Sequence, residues 1–544
     1  MGQIRKFAID EVNMKKTAGI IFRSAVLILA GVTIGLLVAD NNFSNHYLNF
    51  SSAKNDKLTK ILQLVRQNYV DSVNVDSVEG VTVNNLLQNL DPHSMYLPPQ
   101  QAQAINEKLE GGFNGFGLEY QLLRDTLIIT QTYPDGPAAK AGLISGDKIL
   151  TVNNKKFAGT GLTVDGIDKL FTDEKNAEMA FNVLDPSSNT TKLYRIKRGH
   201  VDMSSIDAAY MVNDNTGYIK ISKFASTTDD DFRADLEQLK AMGMKKLVLD
   251  IRGNGGGYLN TATALANEFL TKGQLIVYTK GIHEPRTDYF ATDSGGFQQG
   301  KLAVLIDENS ASASEILAGA LQDLDRAVIV GRRSFGKGLV QEQFPFDDGS
   351  AVNLTVARYY TPSGRSIQKS YAGGIDNYHN ELNARMKKGE LFSEQSNLDD
   401  SIFKKQSPYH TLSGKKVFSY GGIMPDIFVP ADTTEYTDLM QELDDDQLFT
   451  AYVIDRMEPT LNKYANAGEF IKHYTISDNM FDDFILYSSA TIKEMDSNEI
   501  MISKEPIKNL LKAYAARFKW GDEAYFETVN NDDIAFKKAV AAVQ

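Results

Sequence analysis

The chain of 544 residues contains no cysteine. Zinc sites built on thiolates, thiol nucleophiles and disulfides are therefore excluded, and an oxidising compartment is permitted without being required. Positive charge is short as well: 57 lysines and arginines face 70 acids, for a formal net charge of −13. A general nucleic-acid binder needs clustered Lys and Arg against the phosphates, so that class is set aside. Histidine is sparse, with seven in the chain. His46, His93, His200, His283, His379, His410 and His473 are scattered, none stands in a recognisable triad motif, and no G-x-S-x-G nucleophile elbow occurs. Internal repeats and low-complexity tracts are absent.

Long hydrophobic runs are also missing, with one exception. Ala18–Ala39, interrupted only by Arg23, is about as long as a bilayer-crossing helix must be. Arg5, Lys6, Lys15 and Lys16 precede it, which places the short N-terminal tail 1–17 in the cytoplasm and everything after Asp40 outside. Signal-peptide cleavage wants small residues at −3 and −1; Ala39 suits the second, and Leu37 does not suit the first. The expectation is an uncleaved anchor at 18–39, and a lipoprotein would need the missing cysteine.

What remains is ordinary globular material, 42% hydrophobic and 23% charged, enough for several domains with real cores. Residues 41–53 read as a polar tether. Leu58, Ile61, Leu62 and Val65, then Val83, Leu86, Leu87 and Leu90, recur at helical spacing, marking a helical region over 54–103. Over 104–199, short strands ("GFGLEY", "TLIIT", "MAFNVL", "LYRIKR") alternate with turns, a short helix, a tight Asn-Asn turn and a helix carrying Val164, Ile167 and Phe171. Over 200–430, apolar strand runs such as "KLVLDI", "QLIVYT", "KLAVLI", "AVIVG" and "AVNLTVARYY" are interleaved with helices, the pattern of a helix-covered sheet. A polar stretch near 371–416 reads as an insertion. From 431 to 544 the pattern is helical, with Ile507, Leu510, Leu511, Tyr514 and Phe518 on one face. The fold class is thus α/β (α+β), multidomain.

The candidate chemistry centres on "NSASASEILAG". Ser312 follows the strand "KLAVLI" and opens a helix. Ser312 and Glu315 match the S-x-x-E capping box, which alone makes this a well-capped helix. A strand-to-helix turn also offers free N–H groups to a developing oxyanion. A serine needs a base; no histidine is nominated, whereas Lys337 stands between Gly336 and Gly338 after the next strand. Gly331 to Lys337 reproduces G-x-x-x-x-G-K, but glycine follows the lysine and no helix is evident, so a phosphate loop fails its context. "DIRGNGGGYL" is a further glycine loop between strand and helix.

Together these segments resemble the carboxy-terminal processing, or tail-specific, proteases. "LDPHSMYL", "GPAAKAGLISGDKILTVN" (similar to the second half of a PDZ domain), "DIRGNGGG", "SASASE", "SFGKGLVQ" and "YYTPSGRSIQ" stand in family order, and the match resumes at "GGIMPDIFV". The resemblance implies a PDZ-like domain at 104–199 and a Ser/Lys protease core at 200–430. It implies Ser312 as nucleophile, rather than Ser310 or Ser314, with Lys337 as general base and Gln341 orienting the lysine. Backbone N–H groups of Gly257 and Ala313 would hold the oxyanion, and Glu315 would support the site. Phe116, Gly117 and Leu118 would form the loop that receives a peptide carboxylate, although Phe116 and Leu118 also suit the core of their strand. No metal or organic cofactor is implied. Substrates would be proteins or peptides with free C-termini, cut by an endopeptidase anchored in a bacterial inner membrane and working in the periplasm. An adaptor or a homo-oligomer is left open. The alternatives are a non-catalytic PDZ scaffold binding C-termini, which the intact Ser312, Lys337 and Gln341 disfavour, and an unrelated histidine-dependent hydrolase.

Overall fold

Strand runs that are apolar at every position need cover on both faces. The computed structural model describes residues 57–393, 408–431 and 436–544, apart from Glu174, Ser187 and Tyr420. In it six strands form one sheet, in the order Ile206–Asn213, Thr216–Ile221, Lys246–Asp250, Lys301–Ile306, Val328–Gly331 and Ile427–Phe428. The first pair is an antiparallel hairpin and every later pairing is parallel. Successive side chains leave opposite faces of a strand. Leu247, Leu249 and Val304 therefore pack with Phe232, Leu236, Leu265 and Leu317 of the helices Thr228–Ala241, Leu259–Asn267 and Ala313–Asp323. Their neighbours Val248, Ala303 and Leu305 meet Phe536 and Ala539 of the helix Ile534–Ala542. The end of the chain is thus the second cover of the sheet.

The strands Leu275–Lys280 and Ala351–Tyr360, read with the alternating pattern, belong to a separate antiparallel sheet with Met95–Leu97, Thr287–Phe290 and Leu339–Pro345. Short returns join two of its antiparallel pairs, Leu275–Lys280 with Thr287–Phe290 and Leu339–Pro345 with Ala351–Tyr360, where a parallel pairing would need a crossover. Of these, Leu339–Pro345 and Thr287–Phe290 carry mixed polar sequence that strand patterning does not single out.

In the PDZ-like domain, the sheet order is Leu118–Leu123, Thr126–Thr132, Lys148–Val152, Glu178–Asp185, Thr190–Lys197. Its core gathers Phe116, Ile129, Ile149, Ile167 and Phe181. Asn153 and Asn154 both take positive φ, 50° and 63°, as a tight hairpin turn of that type requires. A two-strand ribbon, Gly112–Gly115 on Gly199–Asp202, leads in and out of it, and the helix Pro99–Glu110 runs directly up to that ribbon.

The polar stretch near 371–416, read as an insertion, is mostly exposed where it is described, yet part of it turns inward. Tyr378, Arg385 and Glu390 are buried, and Glu390 accepts from Arg333 Nε at 2.7 Å and from Arg385 Nε at 2.9 Å. A paired, buried charge cluster looks like surface in a sequence, because patterning cannot see the partners. Residues 394–407 of the stretch lie outside the described residues. So do the run 18–39 and the tether 41–53; among the described residues no helix is long and apolar enough to cross a membrane. The helix Lys57–Asn68 belongs to a separate unit that ends at Val81, and its Ile61 and Leu64 are exposed.

Candidate active site

Three loops leave the carboxyl ends of three neighbouring parallel strands, the edge at which open α/β sheets bind ligands. The glycine loop follows Lys246–Asp250, the serine loop follows Lys301–Ile306, and the lysine loop follows Val328–Gly331. They meet at a cavity of about 310 Å³ whose wall includes Gly257, Ser312, Ala313, Lys337, Gln341 and Tyr359.

The three serines of the serine loop separate cleanly. The Ser310 hydroxyl is buried and donates to the Ile251 carbonyl at 2.9 Å. That of Ser314 is buried and donates to the Asn254 carbonyl at 2.8 Å. Only Ser312 stands on the cavity wall. It opens the helix Ala313–Asp323 with φ 56° and ψ −113°, a conformation that costs a non-glycine residue roughly 1–3 kcal/mol and persists only where its surroundings enforce it. The enforcement is visible. Ser312 N–H donates to Glu315 Oε2 at 2.9 Å, the acid's half of the expected capping box, and the Ser312 carbonyl accepts from the Tyr359 hydroxyl at 3.0 Å.

Glu315 is fully buried and joins two loops. Besides Ser312 N–H it accepts from the Ser334 hydroxyl, from Gly336 N–H at 2.7 Å and from Lys337 N–H at 2.8 Å. Burial pushes its carboxyl up to about 7, against the pull of those four donors. The capping residue of the serine helix is therefore also what pins the lysine loop.

Lys337 is half-buried in the cavity wall. Burial pulls its ammonium below the usual lysine range, while the charges of Glu315 and Asp91 act the other way. Tyr359 also donates to the Lys337 carbonyl. Gln341 lines the same cavity, and its amide donates to the Thr355 hydroxyl at 3.2 Å, which in turn donates to Asp91 at 3.1 Å.

Asp91 and His93, from the "LDPHS" segment, are not nominated by the sequence, because nothing local in it links them to Lys337. The strand Met95–Leu97 pairs with Ala351–Asn353 and carries them there. Asp91 also accepts from His93 N–H, Ser94 N–H and the Ser94 hydroxyl. Burial, and next the charge of Lys337, push the His93 imidazole down to about 3, so it stays neutral; its Nε2 lies 2.7 Å from the Tyr378 hydroxyl.

The glycine loop lies against Ser312. A Cβ on Gly256 would come within 2.8 Å of Ser312 Cβ and 3.0 Å of Ala313 N, and Gly256 has φ 106°. Gly257, at φ 148°, forms a parallel bridge with Phe224. That bridge uses the Gly256 carbonyl and the Tyr258 N–H; the N–H of Gly257 and that of Ala313 donate to no protein group among the described residues. Both residues line the same cavity as Ser312. Asn254, fully buried, holds the arrangement: its carbonyl accepts from Ala311 N–H and the Ser314 hydroxyl, and its side chain links the Ile221 carbonyl to Gly256 N–H.

In the PDZ-like domain, Phe116 is buried in the core and its carbonyl accepts from Ala138 N–H at 2.9 Å; the Gly117 carbonyl accepts from Tyr133 N–H at 3.1 Å. Gly117 takes φ 73°, and Leu118 begins the edge strand of the sheet.

Comparison with known proteins adds three matches along the chain. Residues 215–377, which contain Ser312 and Lys337, match the family described as Peptidase family S41. Residues 128–170 match a PDZ domain, and 439–521 match a family of unknown function. The chain is 33% identical over 317 residues to the carboxy-terminal processing protease CtpB of Bacillus subtilis, covering 58% of this chain and 65% of that protein, just under two thirds of its length. It is 33% identical over 353 residues to the carboxy-terminal-processing protease of Bartonella bacilliformis, covering 64% of this chain and 78% of the relative. A solved photosystem II D1 C-terminal processing protease aligns at 25% identity with a TM-score of 0.33, over 70% of this chain and 88% of its own.

Proposed function

This chain belongs to peptidase family S41, and from that premise we propose that it is a serine endopeptidase that cuts proteins near their C-termini, with Ser312 as nucleophile and Lys337 as general base. The observation that carries the reading is the convergence, at one cavity, of Ser312, Lys337 and the two unused N–H groups of Gly257 and Ala313. Neutral Lys337 accepts the Ser312 proton as Oγ attacks the scissile carbonyl. The carbonyl oxygen, now negative, is received by the Gly257 and Ala313 N–H groups, which are fixed in place before the reaction. Lys337 returns the proton to the leaving amine, and water then releases the acyl group by the same path. Ser-Lys pairs follow the logic of the Ser-His-Asp triad. Gln341, through Thr355 and Asp91, and Glu315 support the lysine loop. Substrate choice falls to the PDZ-like domain, where an extended peptide adds to the edge strand and the Phe116–Leu118 loop receives its terminal carboxylate. Residues 18–39 hold the enzyme in a bacterial inner membrane, facing the periplasm.

The test is cleavage of an unstructured polypeptide with a free C-terminus, followed by mass spectrometry. Wild type should cut it, while Ser312→Ala and Lys337→Ala, folded by circular dichroism, should not. Binding of such peptides by wild type with no cleavage would instead favour the PDZ scaffold.

A further inference from the structure

The helices Asp438–Asp445 to Lys504–Trp520, which contain the match to a family of unknown function, pack on the PDZ-like domain. The edge strand Leu118–Leu123 divides its side chains by alternation. Leu118, Tyr120 and Leu122 turn to the apolar core of their own domain. Glu119, Gln121 and Leu123 turn the other way. Leu123 packs into the core of the helical module, Gln121 Nε2 donates to the Gln447 carbonyl at 3.1 Å, and Glu119 lies 3.8 Å from Arg517. Between strand and module runs a cavity of about 570 Å³ that reaches the helix Val164–Thr172 at Val164 and Asp168.

One polar group in it is unsatisfied. Gln121 is 7% exposed, and its Oε1 has no hydrogen-bond partner. Glu119 and Asp444 stand in the same cavity. Its cation Arg517 is already engaged by Asp522 at 2.6 Å. Glu119 already accepts from the Tyr133 hydroxyl at 3.0 Å and Asp444 from the Tyr514 hydroxyl, so the cavity is lined by three carboxylates, Glu119, Asp168 and Asp444, against the one cation Arg517, with Gln121 Oε1 left unpartnered.

We propose that the helical module is the second wall of the peptide groove and selects a cationic side chain, Lys or Arg, at the penultimate position of the substrate. This rests on the reading that the PDZ-like domain captures the terminal carboxylate. A peptide paired with the edge strand continues its alternation. An apolar terminal side chain turns towards the Tyr120 and Phe171 side. The preceding side chain then faces Glu119, Gln121 Oε1 and Asp444, where a PDZ domain without the module would leave it in solvent.

The experiment uses the full chain carrying Ser312→Ala, to prevent turnover, and fluorescent peptides alike except for Lys, Ala or Glu at the penultimate position, with the Lys peptide also amidated at its C-terminus. The Lys peptide should bind about tenfold more tightly than the Glu peptide, the scale of a favourable part-exposed charge contact replaced by an unfavourable one. Asp444→Lys, at an exposed position, should abolish or reverse that order, and Gln121→Met should weaken it. Equal affinity for Lys and Glu peptides, with the amide still weaker than the acid, overturns the role of the module and leaves carboxylate capture standing. Equal affinity for acid and amide removes carboxylate capture and, with it, the register on which the selection depends.

Discussion

Three serines within five positions differ in what their hydroxyls already do. Ser310 and Ser314 are committed to backbone carbonyls, and Ser312 is held at the cavity wall in a strained conformation. Lys337 carries the sharper test. Burial lowers its folded-state value below the usual 10.5, and the proposed reaction needs the neutral amine. Activity should therefore rise with pH along one ionisation whose midpoint lies below 10.5. Lys337→Ala should lose at least about 10⁴-fold in kcat. Lys337→Arg should fail equally, since a guanidinium does not give up its proton. The same shift affects stability. Between the lowered folded value and the unfolded one, the unfolded chain binds the extra proton, so this group opposes folding below that window, and the penalty is relieved as pH rises through it. Lys337→Met, of similar reach and no charge, should therefore be inactive yet melt no lower than wild type near neutral pH. A clear fall in its Tm would mean that the lysine is structural, and cleavage by folded Lys337→Ala near the wild-type rate would remove the dyad.

At the scale of elements, the site is a meeting of loops that no single segment contains. The glycine loop is the most exacting of them. A Cβ on Gly257 would lie 2.1 Å from the Phe224 carbonyl oxygen, at a φ of 148° that L-residues rarely adopt. Gly257→Ala should cost at least about 2 kcal/mol of stability and about 10²–10³-fold in kcat, as the N–H at that position is displaced. Gly253→Ala makes a fair control, because a Cβ there meets nothing within 4 Å although its φ of 72° is also positive. Its cost should be about 1 kcal/mol, with kcat nearly unchanged. Thermal melts and peptide turnover on both variants check this, and equal kcat for the two would deny Gly257 any part in the chemistry.

At the scale of the whole molecule, the chain beyond 431 is structural as well as peripheral. Phe536 and Ala539 close the face of the sheet opposite the helix Ala313–Asp323, and Asp533, which caps their helix, binds Arg252 Nη1 at 2.6 Å beside the glycine loop. Phe536→Ala should cost about 3–5 kcal/mol, measured by urea unfolding, although it lies on the face away from Ser312. A loss below about 1 kcal/mol would show that the helix is dispensable cover. The other end of the chain has a simple check. If residues 18–39 are retained, the intact mass of purified protein includes them; a mature N-terminus near Asp40 would remove the anchor.

Much of this was legible in the residues. Continuous apolar runs mark the parallel strands, which are covered on both faces, and period-3.6 patterns mark their helices, because burial on a regular backbone imposes those patterns. Segment order made the family legible, and Asn153-Asn154 announced its turn. Other features depend on partners distant in the chain, which a linear pattern cannot register. Leu275–Lys280 and Ala351–Tyr360 read as members of the main sheet until pairing assigns them to another. Arg333, Arg385 and Glu390 look like surface until they pair in the interior. Asp91 and His93 become neighbours of Lys337 only through a strand pairing across more than 250 positions. The sequence by itself determined which residues could do chemistry and which elements would carry them. Which serine hydroxyl is left uncommitted, which N–H groups remain unused and which wall faces the edge strand were decided by tertiary structure, because each depends on where other groups have already found their hydrogen bonds.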